Sequence, residues 1–146
     1  MIRITKQTDY AILLLTYVAS QEPDQVRTCR SLAEWSRLSI PMVSKILKPL
    51  SRAGIMVSTR GVNGGYTLAR PADQITVGQI IRAIEGPIGM THCITEPGSC
   101  DQETFCPVKV NWERISRAVR DAMDDVPLSE MFGPQDESST DLLAIQ

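Results

Sequence analysis

The sequence predicts a mainly α-helical chain with one small β-hairpin. Three observations carry this: apolar stripes at helical spacing over residues 8–53, a change to period-two alternation at residue 55, and a further amphipathic stripe beyond residue 107. The first helix is expected over about 8–21, because Ile12, Leu13, Leu15, Tyr17 and Val18 follow Thr5 or Thr8 as N-cap. Pro23 closes it. A second helix is expected from near Thr28 to near Leu38, carrying Ser31, Leu32, Ala33 and Trp35, with Ser39-Ile40-Pro41 as the connection. Pro41 is assigned to N1 of the third helix, where a missing N–H costs nothing. Met42, Val43, Ile46, Leu47 and Leu50 form one face of that helix and Ser44, Lys45 and Lys48 the other, and Gly54 caps its end. Pro49 lies inside the pattern and is expected to weaken or kink the third turn.

From Ile55 the residues Ile55, Val57 and Thr59 alternate with Met56, Ser58 and Arg60, as in a strand, and Tyr66 to Arg70 return after a turn at 61–65. Asn63-Gly64-Gly65 is expected to supply the positive φ angles of a tight hairpin. Pro71 ends it. A fourth helix is expected from Val77 to Ile84, stopped by Glu85-Gly86-Pro87, before a loop rich in Gly, Pro and Cys. The last helix carries Val108, Trp112, Ile115, Val119, Met123 and Val126 in one stripe, with Pro107 at N1. The chain then divides into 1–85, a winged helix-turn-helix with the third helix as recognition helix; 86–107, the cysteine loop; 108–132, a long helix and a short one after it; and 133–146, a flexible tail.

Charge is divided along the chain. Residues 1–70 hold ten Lys and Arg against four Asp and Glu, net +6, and residues 71–146 hold five against thirteen, net −8, giving −2 for the whole. A basic half joined to an acidic one suits a protein that meets a polyanion with one face. No run reaches the roughly eighteen apolar residues of a membrane span. Arg3 and Lys6 ahead of the apolar run Tyr10 to Ala19 imitate an export signal, but Asp9 and Thr16 interrupt it. A helix fits the major groove, and the wing tip brings Arg60 and Asn63 beside flexible Gly64 and Gly65. Double-stranded DNA is therefore the expected partner, contacted by Thr28, Ser39, Pro41, Ser44, Lys45, Lys48, Arg60, Asn63, Gly64 and Gly65.

Cys93, Cys100 and Cys106 share one loop, with six and then five residues between them, and Cys29 lies apart on the second helix, where it reads as a small core residue. No Cys-x-x-Cys knuckle is present, which argues against structural zinc. Iron-sulfur clusters need several thiolates around an inorganic core, and three in a wide loop meet that need. A disulfide switch between two of the three, or three merely buried thiols, are the other readings of the same spacing. Cys106 is expected beside the N-terminus of the long helix, where the macrodipole favours a thiolate. For a fourth ligand, His92 is next to Cys93, and sequence neighbours rarely face one metal. Asp9 is the other candidate, though an acid in a first helical turn is favoured by the dipole in any case. A phosphate-binding glycine loop and a Ser-His-Asp set are lacking and there is one histidine, so no enzyme and no small-molecule substrate are expected.

Ile4-Thr5 through Thr8-Asp9-Tyr10-Ala11, Leu50-Ser51-Arg52-Ala53-Gly54, Arg60-Gly61 through Gly64-Gly65-Tyr66 and the triple-cysteine loop together resemble the iron-sulfur and redox-sensing winged-helix repressors of the IscR and NsrR type. The likeness runs from residue 1 to about 132, and the regulators found with SUF cluster-assembly genes are the nearest branch. The resemblance implies a cluster on Cys93, Cys100 and Cys106, 2Fe-2S ahead of 4Fe-4S, with Asp9 as fourth ligand from the other subunit. It also implies a homodimer formed by the crossing of the long helix with its partner. The first gap of the loop is one residue longer than is usual in the Isc type, and Lys109 stands where that type has histidine, unable to bind metal while protonated. The expectation is a cytoplasmic repressor of SUF-type assembly genes at a pseudo-palindromic operator. A thiol-based or nitric-oxide-sensing repressor of the same fold is the alternative.

Overall fold

Hydroxyl side chains start the first four helices. In the computed structural model, which describes residues 3–132, the order is α1 (Lys6–Ala19), α2 (Cys29–Ser36), α3 (Ile40–Arg52), β1 (Met56–Thr59), β2 (Gly65–Leu68), α4 (Val77–Glu85), α5 (His92–Thr95) and α6 (Lys109–Asp124), with 3-10 turns at Ala72–Gln74 and Leu128–Met131. The tail expected over 133–146 lies outside the described residues. Thr5, Thr28, Ser39 and Thr76 are the N-caps of α1 to α4, each hydroxyl accepting the N–H three residues on. At α4 the cap is a full box, with Gln79 returning a bond to the Thr76 backbone N–H. Among the described residues no helix is long and apolar enough to cross a membrane.

Several local expectations shift. Ser39 caps through the Met42 N–H, so α3 starts at Ile40 and Pro41 is its second residue rather than its first. Nothing is lost, because the first four N–H groups of a helix lack internal partners anyway. The helix also runs through Pro49 to Arg52. Val43, Ile46, Leu47 and Leu50 are fully excluded from solvent and hold it in place, while Lys45, whose carbonyl loses a partner, is exposed. The turn from α2 into α3 is made by Arg37 at φ 59°, a left-handed cap that an arginine rarely supplies.

The hairpin is antiparallel with Met56 opposite Leu68 and Thr59 opposite Gly65, which leaves residues 60–64 as its tip. It is not the tight turn expected: the positive φ angles fall on Gly61 (111°) and Gly65 (157°), not on Asn63 or Gly64. Nor does the alternation bury one apolar face, since Ile55 and Met56 are both 2% exposed and Val57 is 49% exposed. The strand leaves the core after Met56 and projects as a wing. Its root is tied to the approach to α2 by paired bonds between Arg27 and Tyr66, at 2.9 Å and 2.8 Å.

The core gathers α1, α2, α3 and α4 around Leu14, Leu15, Leu32, Ile46, Leu47 and Ile80. Each such side chain contributes about 1.5–3 kcal/mol on burial. The core also takes Leu128 from beyond α6, fully buried, with its N–H on the Ile75 carbonyl at 2.7 Å. The long helix is thus rooted in the winged domain. Asp124 makes the root firm: its carboxylate receives both Arg82 guanidinium nitrogens at 3.0 Å and 2.8 Å and the Thr76 hydroxyl at 3.2 Å. Gly78 makes room for it, because a Cβ there would overlap the Asp124 carboxylate. At its other end α6 begins at Lys109 with Val108 as cap, so Pro107 precedes the helix instead of opening it. A turn comes first, closed by the Lys109 N–H on the Cys106 carbonyl at 3.4 Å.

The Arg82 guanidinium holds the Asp124 carboxyl below the usual carboxylate range, against the opposing pull of desolvation. A folded-state value lowered in this way gives stability that is present above the unfolded value, about 3.9, and is lost as pH falls through the lower folded one. With the pair partly solvent-screened, Asp124→Asn is expected to cost on the order of 1 kcal/mol at neutral pH, and urea denaturation at falling pH should show wild type converging on the variant. Gly78→Ala is expected to cost about 1–3 kcal/mol through overlap, and an unchanged urea midpoint would show that the clamp has slack.

Candidate nucleic-acid interface and cysteine loop

Thr28, Ser39, Pro41, Lys45, Lys48, Arg60 and Asn63 are all exposed, while Ser44, Gly64 and Gly65 are half-buried. The Thr28 and Ser39 hydroxyls accept their cap bonds at 3.0 Å and 3.3 Å. Each keeps a proton to donate, beside helix-terminal amides that suit a phosphate oxygen. The two wing glycines have intramolecular reasons to be glycine. A Cβ on Gly64 would overlap the Thr59 carbonyl oxygen, one on Gly65 would lie 2.6 Å from the Arg27 carbonyl oxygen, and the Gly64 N–H is already bonded to Gly61 at 3.0 Å. They shape the wing root and tip.

Arg52 is a candidate that sequence reasoning missed. It is exposed and follows Lys45 and Lys48 at steps of three and four, on the same face of α3. Beyond Lys48 it lines a recess of about 240 Å³ between α3 and the hairpin, with Ser51, Ser58 and Tyr66. The helical spacing of three cations is the signal that could have found it. Arg27, by contrast, is used internally. It lies 5.5 Å over the Tyr17 ring, which stacks on Trp35 at 3.9 Å, and it bonds Gln21 and Gln25.

The four cysteines are free thiols. Cys29 packs at the core edge, its Sγ 3.6 Å from the Ile40 carbonyl oxygen, and burial pushes its thiol up. In the loop, Cys93 lies on α5 with its Sγ 3.1 Å from the Thr91 hydroxyl, Cys100 is exposed and Cys106 half-buried. The late start of α6 puts Cys106 a turn ahead of the helix, not beside its first residue as expected. Among the described residues, no three Cys, His, Asp or Glu side chains are grouped closely enough to hold a metal ion. The donor set, three unpaired thiols on one segment, is right in kind for an iron-sulfur cluster; a single chain does not gather it. Lys109 is engaged elsewhere: its ammonium meets Glu103 at 2.8 Å, and that bond raises the lysine and lowers the glutamate. Glu103 also accepts the Gly98 N–H at 2.6 Å, bracing the loop from within.

Asp9 is exposed in the first turn of α1, and its neighbour Thr8 is fully buried. Thr8 belongs to a network that the sequence does not disclose. One Glu85 oxygen accepts the Thr5 N–H at 2.9 Å, the Thr5 hydroxyl at 2.9 Å and the Thr8 hydroxyl at 2.6 Å. Desolvation pushes the Glu85 carboxyl up, but these bonds outweigh it and leave the group below its ordinary range.

A recognition helix, a capped partner helix and a projecting wing define a winged helix-turn-helix DNA-binding protein. Residues 4–134 match the Rrf2 family, described as iron-dependent transcriptional regulators, and the chain belongs to that family. It is 29% identical over 129 residues to the HTH-type transcriptional regulator CymR of Bacillus subtilis, covering 88% of each chain. To the HTH-type regulator IscR of Erwinia tasmaniensis it is 27% identical over 134 residues, 92% of this chain and 81% of that one. The solved structure of B. subtilis CymR, described as the global cysteine regulator, superposes with a TM-score of 0.70 at 28% identity over 93% of this chain and 100% of that chain. The structure of T. potens IscR gives 0.68 at 26% identity, over 94% and 90%.

Each cation that touches a phosphate displaces counterions, so Arg52→Ala and Lys45→Ala are each expected to flatten the plot of log affinity for duplex DNA against log salt by about 0.9. A slope unchanged in Arg52→Ala would remove that residue from the interface.

Proposed function

We propose that this chain is a homodimeric repressor of iron-sulfur assembly genes, of the SUF type, whose loop 86–107 holds an iron-sulfur cluster. The observation that carries the reading is the set of three free thiols on one loop docked against α6. The family description as iron-dependent regulators supports it. Cys93, Cys100 and Cys106 would be the ligands, with Asp9 of a second copy completing the set, since among the described residues no fourth donor is grouped with them. The bound group would supply an oxidation-sensitive centre whose potential the surrounding hydrogen bonds adjust. Lys109 stays protonated on Glu103 and serves as a brace for the loop rather than a donor.

The dimer reading has its own support. Val108, Trp112 and Ile115 lie at steps of four and three along α6 and are 48%, 38% and 40% exposed, an apolar seam turned away from the core. Crossing with the same seam of a second copy covers it and sets two recognition helices on one side, which suits a pseudo-palindromic operator. A thiol switch on the same loop is the second reading, favoured by the exposure of Cys100.

Strictly anoxic protein is expected to carry iron and sulfide and to absorb between about 400 and 600 nm, with Asp9→Ala losing most of both. Colourless anoxic protein that still responds to thiol oxidants in DNA binding would establish the thiol switch instead. Ile115→Asp is expected to sediment as a monomer, and an intact dimer would move the interface off α6.

A further inference from the structure

We propose that Glu85 is a positioning residue that couples the cysteine loop to the first turn of α1. The coupling rests on the sensing role proposed for the loop but not on which chemistry the thiols perform. Glu85 is the last residue of α4, and the chain turns at Gly86 (φ 88°) directly into the loop. A carboxylate at a helix C-terminus opposes the dipole of its own helix, so α4 alone gives no reason for it. The reason lies across the core, where Glu85 faces the N-terminus of α1 and accepts from Thr5 and Thr8 through a single oxygen. It caps a helix that begins eighty positions away in sequence.

Beyond Glu85 the chain is fastened on the opposite side. The Arg120 guanidinium bonds the Ile88 carbonyl at 3.0 Å, and the Met90 N–H bonds the buried Ser116 hydroxyl at 3.0 Å, both on α6. Cys93 comes three residues after Met90. The loop entrance is therefore strung between α6 and α1, with Glu85 as its attachment to α1. Beside the attachment lies a recess of about 390 Å³, bordered by Arg3, Ile4, Glu85, Pro87, Val119 and Met123, into which the entrance has room to move. A displacement of Cys93 against α6 pulls on Gly86-Pro87, and Glu85 passes the pull to Thr5 and Thr8. From there α1 packs directly on α3, the recognition helix.

Amide hydrogen exchange on the full chain, in a Cys29→Ala background so that alkylation is confined to the loop, reads this coupling without any cofactor. Treating the loop thiols with N-ethylmaleimide is expected to raise exchange at residues 5–9 by roughly threefold or more, as a local opening would. Glu85→Ala is expected to abolish the response, and Glu85→Gln, which keeps an acceptor oxygen, to retain it. Thr8→Val, matched in shape at a buried position, provides a second break in the network should Glu85→Ala fold poorly. No response in the parent chain, or an undiminished one in both Glu85→Ala and Thr8→Val, overturns the proposal. Iron and sulfide content decide the cluster separately, so a coupled loop without iron and an iron-bearing loop without coupling are distinct results.

Discussion

The long helix is anchored to the winged domain at its C-terminal end by one carboxylate. Asp124 sits at the end of α6 and is held by Arg82 and Thr76 from α4 and its cap, against a glycine that leaves space for nothing else. Immediately after it the backbone crosses back by Val77 to Val126 at 2.9 Å and Leu128 to Ile75 at 2.7 Å. A pair this exposed has little worth as a free-standing ion pair. Its value is geometric, because a bidentate arginine and two flanking backbone bonds fix the direction in which α6 leaves the domain. In a dimer built on α6, that direction fixes the separation of the recognition helices.

α4 is consequently the part on which two attachments converge. Its first turn holds α6 through Thr76 and Gly78, and its last residue holds α1 through Glu85. The two attachments sit at opposite ends of one nine-residue helix. Beyond α1 lies α3, which carries Lys45, Lys48 and Arg52 on one exposed basic face. The acidic second half of the sequence is spent partly inside these attachments, on Glu85, Glu103 and Asp124. Charge asymmetry thus has two sources: cations that face solvent, and anions that tie elements together.

Most of the element order is legible because it is written locally. Thr5 and Thr28 announce helix starts, and the stripe Val43, Ile46, Leu47, Leu50 announces the buried face of α3. The features that sequence misplaces depend on contacts that local sequence does not encode. Asn63-Gly64-Gly65 suggests a tight turn, yet Gly64 and Gly65 are small because of Thr59 and Arg27, the latter far away in sequence. Pro107 suggests a helix start, but the turn from Cys106 to Lys109 comes first. Met56 and Val57 break the alternation because a two-stranded wing has little to bury against once it leaves the core. Glu85 looks like a helix stop, and its partners eighty residues upstream leave no trace in either segment alone.

The thiols carry the same lesson into function. Three cysteines in one loop look like a site in sequence, and the fold holds them as separate groups braced by Glu103, Lys109 and Thr91. A binding site closed in advance would hold its group tightly and report little, whereas one that must be assembled spends part of its binding free energy on ordering the loop. That ordering is what a distant helix can feel. The loop of this chain is attached at its entrance to both α6 and α1, so under the proposed function the work of gathering Cys93, Cys100 and Cys106 would be done against those attachments and not against solvent alone. Whether iron or a disulfide is the chemistry of the loop, the proposed response would reach α1 by the same tethered entrance.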